Sequence, residues 1–251
     1  MNKIQLVILA AGKGKRMQSE LPKALLPLAG KPLLQHLLDA VDSSKLDVPP
    51  TLVVGVGSDQ VKSVAGPRYQ YVFQNEQLGT GHAVKITEEL LKDKATHIMV
   101  LYGDHPLVDA ETINKLGEAH LKGKTPITMA TVHIPDFESW REGFRDYGRV
   151  IRNTLGEIEK IVERKDASLQ ELLVREVNPS YFCFDANWLW ENLKEIKNDN
   201  TQQEYYLTDL PSRAHKNGER ITTVSIDPVA ALGANTREQL TVLERILSEG
   251  R

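Results

Sequence analysis

The sequence predicts an α/β protein: a Rossmann-like, mostly parallel sheet with helices on both faces and an antiparallel β insertion. Three features point there. Short apolar runs alternate with helical periodicities through the first half. The first run leads straight into a glycine-spaced, cationic loop. Beyond residue 125 the alternation gives way to closely spaced strand-like runs. Repeated βα units need right-handed crossovers, which place their strands parallel.

The strand-like runs of the first half are Ile4–Leu9, Thr51–Val56, Tyr69–Phe73 and Ile98–Tyr102. Helical patterns at Pro32–Asp42, Ser58–Ala65, Gly81–Leu91 and Asp109–Leu121 follow them in turn. Leu33, Leu34, Leu37, Leu38 and Val41 share one helical face, and Pro32 suits a first turn. Thr128–Ile134 reads as a strand and Pro135–Tyr147 as a polar loop. Arg149–Arg152 and Glu157–Val162 flank Asn153-Thr154-Leu155-Gly156, a hairpin turn. Val174–Phe184 is a further strand, Trp188–Ile196 a helix and Ile221–Ile226 a late strand. From Thr236 an amphipathic helix carries Leu240, Leu243, Ile246 and Leu247 on one face. No repeat or linker interrupts the chain. Residues 1–251 are therefore expected to form one domain, with halves at 1–125 and 126–235 and a C-terminal helix at 236–251.

Composition narrows the function. A chain of 251 residues can bury a sizeable core. Its net charge of −3 offers no basic field for nucleic acid. The single cysteine, Cys183, excludes a disulfide framework and a thiolate metal cluster. No run is long enough to span a bilayer, and none has the flanks of a signal peptide, so a cytoplasmic location is expected.

The chemistry begins at Leu6-Val7-Ile8-Leu9-Ala10-Ala11-Gly12-Lys13-Gly14-Lys15-Arg16-Met17. Gly12 and Gly14 let the backbone turn and bring its N–H groups near a phosphate. Lys13, Lys15 and Arg16 add positive charge, and Lys23 follows Leu21-Pro22. The carboxyl end of a first strand is where α/β sheets bind ligands. A P-loop is excluded because Gly14-Lys15 is followed by Arg16. A dinucleotide fingerprint is excluded because Met17 stands where its third glycine belongs. The plainer alternative is an ordinary turn with solvated lysines.

Other segments add candidates, each with a plainer reading. In Gln74-Asn75-Glu76-Gln77-Leu78-Gly79-Thr80-Gly81-His82-Ala83, two glycines and a threonine would present N–H groups and a hydroxyl to a base or phosphate. Gln74 would read a pyrimidine edge. Alternatively, Thr80 simply caps a helix. Asp104, after Gly103 at a strand end, suits a hard cation such as Mg²⁺, or merely a turn. His105 beside it reads as a hydrogen-bonded structural residue. Gly148 could set backbone amides against a ligand. Glu163 could sit in a solvated ion-pair network, Asn178-Pro179 could open a turn, and Asn235 or Thr236 could cap the last helix.

Taken in order, these segments resemble the sugar-1-phosphate nucleotidyltransferases, and most closely the uridylyltransferase domain that acts on N-acetylglucosamine 1-phosphate. Ile161-Val162-Glu163, Gln203-Glu204-Tyr205-Tyr206-Leu207-Thr208-Asp209 and Gly233-Ala234-Asn235 extend the likeness over nearly the whole chain. The resemblance implies transfer of UMP from UTP to the sugar phosphate, with Mg²⁺ as cofactor and pyrophosphate released. It implies Arg16 and Lys23 as catalytic cations. Leu9, Ala10, Ala11, Gly12, Gly14, Gln74, Gly79, Thr80 and Gly103 would hold the nucleotide. Tyr102, Gly148, Glu163, Asn178, Tyr206 and Thr208 would hold the sugar, and Asp104 and Asn235 the metal. Residues 1–125 become the nucleotide half and 126–235 the sugar half.

The sequence departs from that family in three places. No hexapeptide repeats occur, so no acetyltransferase activity is expected. Pro179-Ser180 replaces the usual Thr/Ser-Gly after the sugar-binding asparagine. Gln203 replaces a glycine before Glu204. Pro179 brings neither hydroxyl nor N–H, which leaves open another acceptor, such as glucose 1-phosphate with UTP or dTTP. A non-catalytic nucleotide-sugar-binding protein is a separate alternative, and the retained Arg16, Lys23, Asp104 and Asn235 argue against it.

Overall fold

The computed structural model describes residues 3–17 and 19–249. The Lys15 side chain and residues 250–251 of the expected C-terminal helix lie outside the described residues. In chain order come β1 (Ile4–Leu9), a small hairpin of β2 (Pro27–Leu28) and β3 (Lys31–Pro32), α1 (Leu33–Asp42), β4 (Thr51–Val54), α2 (Ser58–Ala65) and β5 (Gln70–Phe73). Next are α3 (Thr80–Lys85), α4 (Glu88–Leu91), β6 (His97–Tyr102) and α5 (Ala110–Gly123). β1 pairs in parallel with β4 and β6, and β4 with β5. The expected parallel half is present.

Side chains alternate across a strand, so each strand feeds two cores. Leu6 and Ile8 pack on one face with α1 and α5; Val7 packs on the other with α3 and α4. All five apolar residues of the α1 stripe are buried, each worth roughly 1.5–3 kcal/mol relative to exposure. The expected helix Gly81–Leu91 is broken in two, since α3 ends at Lys85 and α4 restarts at Glu88.

The second half comprises β7 (Ile127–His133), β8 (Gly148–Arg152), β9 (Ile158–Val162), β10 (Glu176–Asn178), β11 (Phe182–Asp185), α6 (Ala186–Leu193), α7 (Leu210–Lys216), β12 (Ile221–Ser225) and α8 (Arg237–Ser248). The main sheet runs β5-β4-β1-β6-β11-β7-β10-β8-β9, with β12 beside β7. β8, β9, β10 and β11 pair antiparallel with their neighbours. α6 and α7 cover the α3 face, while Leu243 and Ile246 of α8 join the α1 face.

Two further expectations need correction. The polar loop Pro135–Tyr147 contains a 3-10 helix at Ser139–Asp146, anchored by buried Phe144. The single strand Val174–Phe184 is two strands, both alongside β7. Pro179 supplies no N–H for a ladder, and Ser180 sits at φ +65°. The resulting bulge forks the sheet. β11 stays beside β6, while β10 turns to β8.

Candidate functional site at the carboxyl edge of the parallel strands

β1 and β6 end in register, with Leu9 opposite Tyr102. Ala10 N–H donates to Val53 O at 2.8 Å and Gly103 N–H to Leu9 O at 3.0 Å. A Cβ on Gly103 would lie 3.2 Å from that of Ala10, so glycine lets the two strand ends close up. The loop then folds back on Lys23, whose N–H donates to Gly12 O at 3.2 Å. Met17 is 2% exposed and pins the loop to the core. The residue that argued against a dinucleotide fingerprint is thus a packing anchor.

A cavity of about 240 Å³ opens here. Of the expected residues, Leu9, Ala10, Ala11, Gly12, Lys23, Gln74, Gly79, Thr80, Tyr102 and Asp104 line it. Gln77 and Glu204 line it too, beyond the residues that the sequence singles out. The Gln77 amide donates to Ala11 O. The only sequence signal for either was its place inside the motif runs.

The Lys23 ammonium donates to Asp104 Oδ2 and, at 2.6 Å, to Asn235 Oδ1. Burial opposes ionisation of Asp104, yet the Lys23 charge outweighs it and holds the carboxyl below its usual range. Ala234 N–H donates to Asp104 O at 3.1 Å, tying the two segments together. Thr236 caps α8, and Asn235 N–H meets Gln239 Oε1 at 2.6 Å. Capping therefore uses Thr236 and the Asn235 backbone, and leaves the Asn235 side chain for Lys23. Behind Asp104, His105 bonds the Tyr181 hydroxyl at 2.7 Å. Burial pulls His105 down to about 4, so it is neutral at physiological pH.

The Gly79-Thr80-Gly81 segment is not an open cradle. Gly81 N–H donates to Tyr205 O at 2.8 Å, and the Thr80 hydroxyl accepts from Leu207 N–H at 3.0 Å. Gly79, not Thr80, is the N-cap residue. The Gln74 amide nitrogen is shared between Gly79 O at 3.3 Å and His82 Nδ1 at 3.1 Å.

A second cluster forms where the sheet forks. Gly148 and Asn178 are register partners. A Cβ on Gly148 would lie 3.4 Å from Glu163 Oε1, which accepts from the Thr208 hydroxyl at 2.8 Å. Burial pushes the Glu163 carboxyl up, against the Thr208 hydrogen bond. Asn178 is 2% exposed and accepts from Ser180 N–H at 3.0 Å. Tyr206 is 7% exposed, and its hydroxyl has no partner among the described residues. Tyr102 joins the two clusters. Burial raises its phenol, Glu163 adds to the shift, and the Ser180 and Thr80 hydroxyls oppose it.

Arg16 stands apart. Its side chain is 63% exposed, and Nη1 lies 3.9 Å from Asp146 Oδ2. Gly14, at φ +61°, supports the loop behind Lys23 and does not line the cavity.

A glycine loop, a half-buried lysine and two oxygen donors at a parallel strand edge define a nucleotide-handling transferase site. Residues 6–204 match the profile of the MobA-like NTP transferase domain, and the chain belongs to that family. It is 45% identical over 240 residues to the bifunctional protein GlmU of Shouchella clausii (strain KSM-K16), covering 95% of this chain and 51% of that protein. It is 41% identical over 251 residues to the bifunctional protein GlmU of Brevibacillus brevis (strain 47), covering 99% and 52%. The chain spans about half the length of these curated relatives. The crystal structure of a UDP-glucose pyrophosphorylase complexed with UDP-glucose superposes with a TM-score of 0.76 at 19% identity, over 100% of both chains, and so shares the fold. Among the described residues, no helix is long and apolar enough to cross a membrane.

Proposed function

We propose that this chain transfers UMP from UTP to N-acetylglucosamine 1-phosphate, giving UDP-N-acetylglucosamine and pyrophosphate. The observation that carries this reading is the meeting of Lys23, Asp104 and Asn235 beside the glycine loop. Identity of 45% to a GlmU protein supports the choice of substrates.

The reaction needs no dedicated base. The second pKa of a phosphate monoester is about 6, so the acceptor is largely dianionic at neutral pH. Its oxygen attacks the α-phosphorus, and the bond to the β-phosphate oxygen breaks as pyrophosphate leaves. What remains is to align two anions and offset their repulsion. Lys23 would neutralise phosphate charge, with Arg16 joining it by leaving Asp146. Leu9, Ala10, Ala11, Gly12, Gln74, Gly79 and Thr80 would enclose the nucleoside; Gly14 and Gly103 would shape the loops that hold it. Gly148, Glu163, Asn178, Tyr206 and Thr208, with Tyr102, would hold the sugar, whose hydroxyls could satisfy the unpartnered Tyr206 oxygen.

Asp104 and Asn235 present hard oxygen donors to one point, a set that fits Mg²⁺. When bound there the ion would stabilise negative charge on the phosphates.

The test is pyrophosphate release with each NTP, Mg²⁺ and a panel of sugar 1-phosphates. Release with UTP and N-acetylglucosamine 1-phosphate is expected to exceed every other pair. A second reading changes only the acceptor and is favoured by the Pro179-Ser180 bulge, because Asn178 is turned onto Ser180 there. It would appear in the same panel as a preference for a sugar phosphate without the acyl-amino group.

A further inference from the structure

Lys23 enters the site from a short 3-10 turn, Lys23–Leu25, behind Pro22. Its side chain is 12% exposed and that of Asp104 is 17% exposed, so their contact is not a solvated surface pair. One ammonium donates to both oxygens that would serve a divalent ion. Two hard oxygens from distant segments converging on one point make a cation seat, and the cation in it belongs to the chain itself. An ammonium and a divalent ion cannot share those oxygens, because their repulsion in a poorly solvated site is severe.

The glycine loop offers the ammonium a second place to go. A Cβ on Gly14 would lie 3.2 Å from Lys23 Cβ, and one on Gly12 would lie 3.8 Å from Lys23 Cδ. The lysine stem thus runs along the loop. Rotation of its side chain would carry the charge from the two oxygens to an anion bound over Gly12.

We propose that Lys23 is the resident occupant of the cation seat and excludes divalent ions until a triphosphate draws its ammonium away. This rests on the reading of Asp104 and Asn235 as ligands of the metal. Nucleotide and metal then load together, and Asp104 is never left charged and unpaired in a poorly solvated site.

Mn²⁺ binding to the nucleotide-free full chain, followed by the electron paramagnetic resonance signal of free Mn²⁺, tests it. Lys23→Met is expected to bind Mn²⁺ about tenfold tighter than the wild type, or more, once the competing charge is gone. Lys13→Met removes an exposed charge from the same loop, outside the seat, and should change affinity by less than about threefold. Lys23→Gln keeps a donor for both oxygens and takes the place of Lys23→Met should that variant not fold. Equal Mn²⁺ affinity in wild type and Lys23 variants, with Asp104→Asn weakening it in all, would overturn the proposal and leave the metal ligands standing. Binding indifferent to Asp104→Asn in every background would remove the seat itself, and the metal assignment with it.

Discussion

Gly12-Lys13-Gly14 and Gly79-Thr80-Gly81 read alike in sequence and end in unlike surroundings. A Cβ on Gly12 would meet nothing closer than Lys23 Cδ at 3.8 Å. One on Gly79 would lie 2.6 Å from Tyr205 O, and one on Gly81 2.4 Å from Ile196 Cδ1. In the first pair Gly12 leaves backbone open beside the cavity, while Gly14 packs on Lys23 behind it. The second lets another stretch of the chain, residues 204–207, press against the helix start and close one wall of the same cavity. Glycine spacing shows that something comes close to the backbone. Whether it is a ligand or the protein depends on what the fold brings there.

The sharpest way to separate the two loops is through activity. Lys23→Ala and Asp104→Asn are each expected to lower turnover about 10²–10³-fold in a pyrophosphate-release assay, with circular dichroism unchanged. Wild-type turnover in both would discard the site around the first loop. Next in size is stability. Gly79→Ala forces a side chain into Tyr205 at φ +108°, which should cost about 2–4 kcal/mol in denaturant melts. Gly12→Ala should stay within about 0.5 kcal/mol of wild type. Equal costs would erase the distinction.

The residues flanking the segment docked on the second loop supply two finer tests. Asp209, two residues beyond it, is pushed from 3.8 up to about 6 by burial, with Asp199 and Asp166 adding to it. An acid whose folded pKa is raised loses stability as pH climbs through that window. Asp209→Asn should therefore gain about 1 kcal/mol at pH 7, after discounting for partial exposure. The gain should grow between about pH 4 and 6 and vanish below. A pH-independent difference in melting would refute the assignment. Smallest is Gln203→Gly, which relieves a left-handed φ of +55°. Strain relief offset by unfolded-state entropy should leave about 0.5 kcal/mol, or ~1–2 °C in Tm.

Much of this was legible beforehand. The parallel strands and α1 follow from apolar runs and a five-residue stripe, whose periodicity depends on local geometry alone. The bulge at Pro179-Ser180 was not, because an apolar run says nothing of where a strand changes partner. Ser180 and Gln203, the two positions where the resemblance leads one to expect glycine, both keep a positive φ, a strain of roughly 1–2 kcal/mol each. In the site, Asp104 was marked by its strand end, whereas Glu204 and Gln77 had no signature of their own.

Sequence alone determined the fold class, the cationic glycine loop and the order of the motifs, because these depend on residue type and short-range spacing. Tertiary structure alone decided that Asn235 meets Lys23 beside Asp104 while Arg16 lies out on Asp146. Partners brought together by packing leave no trace in spacing, and a buried charge takes whichever oxygens the fold delivers.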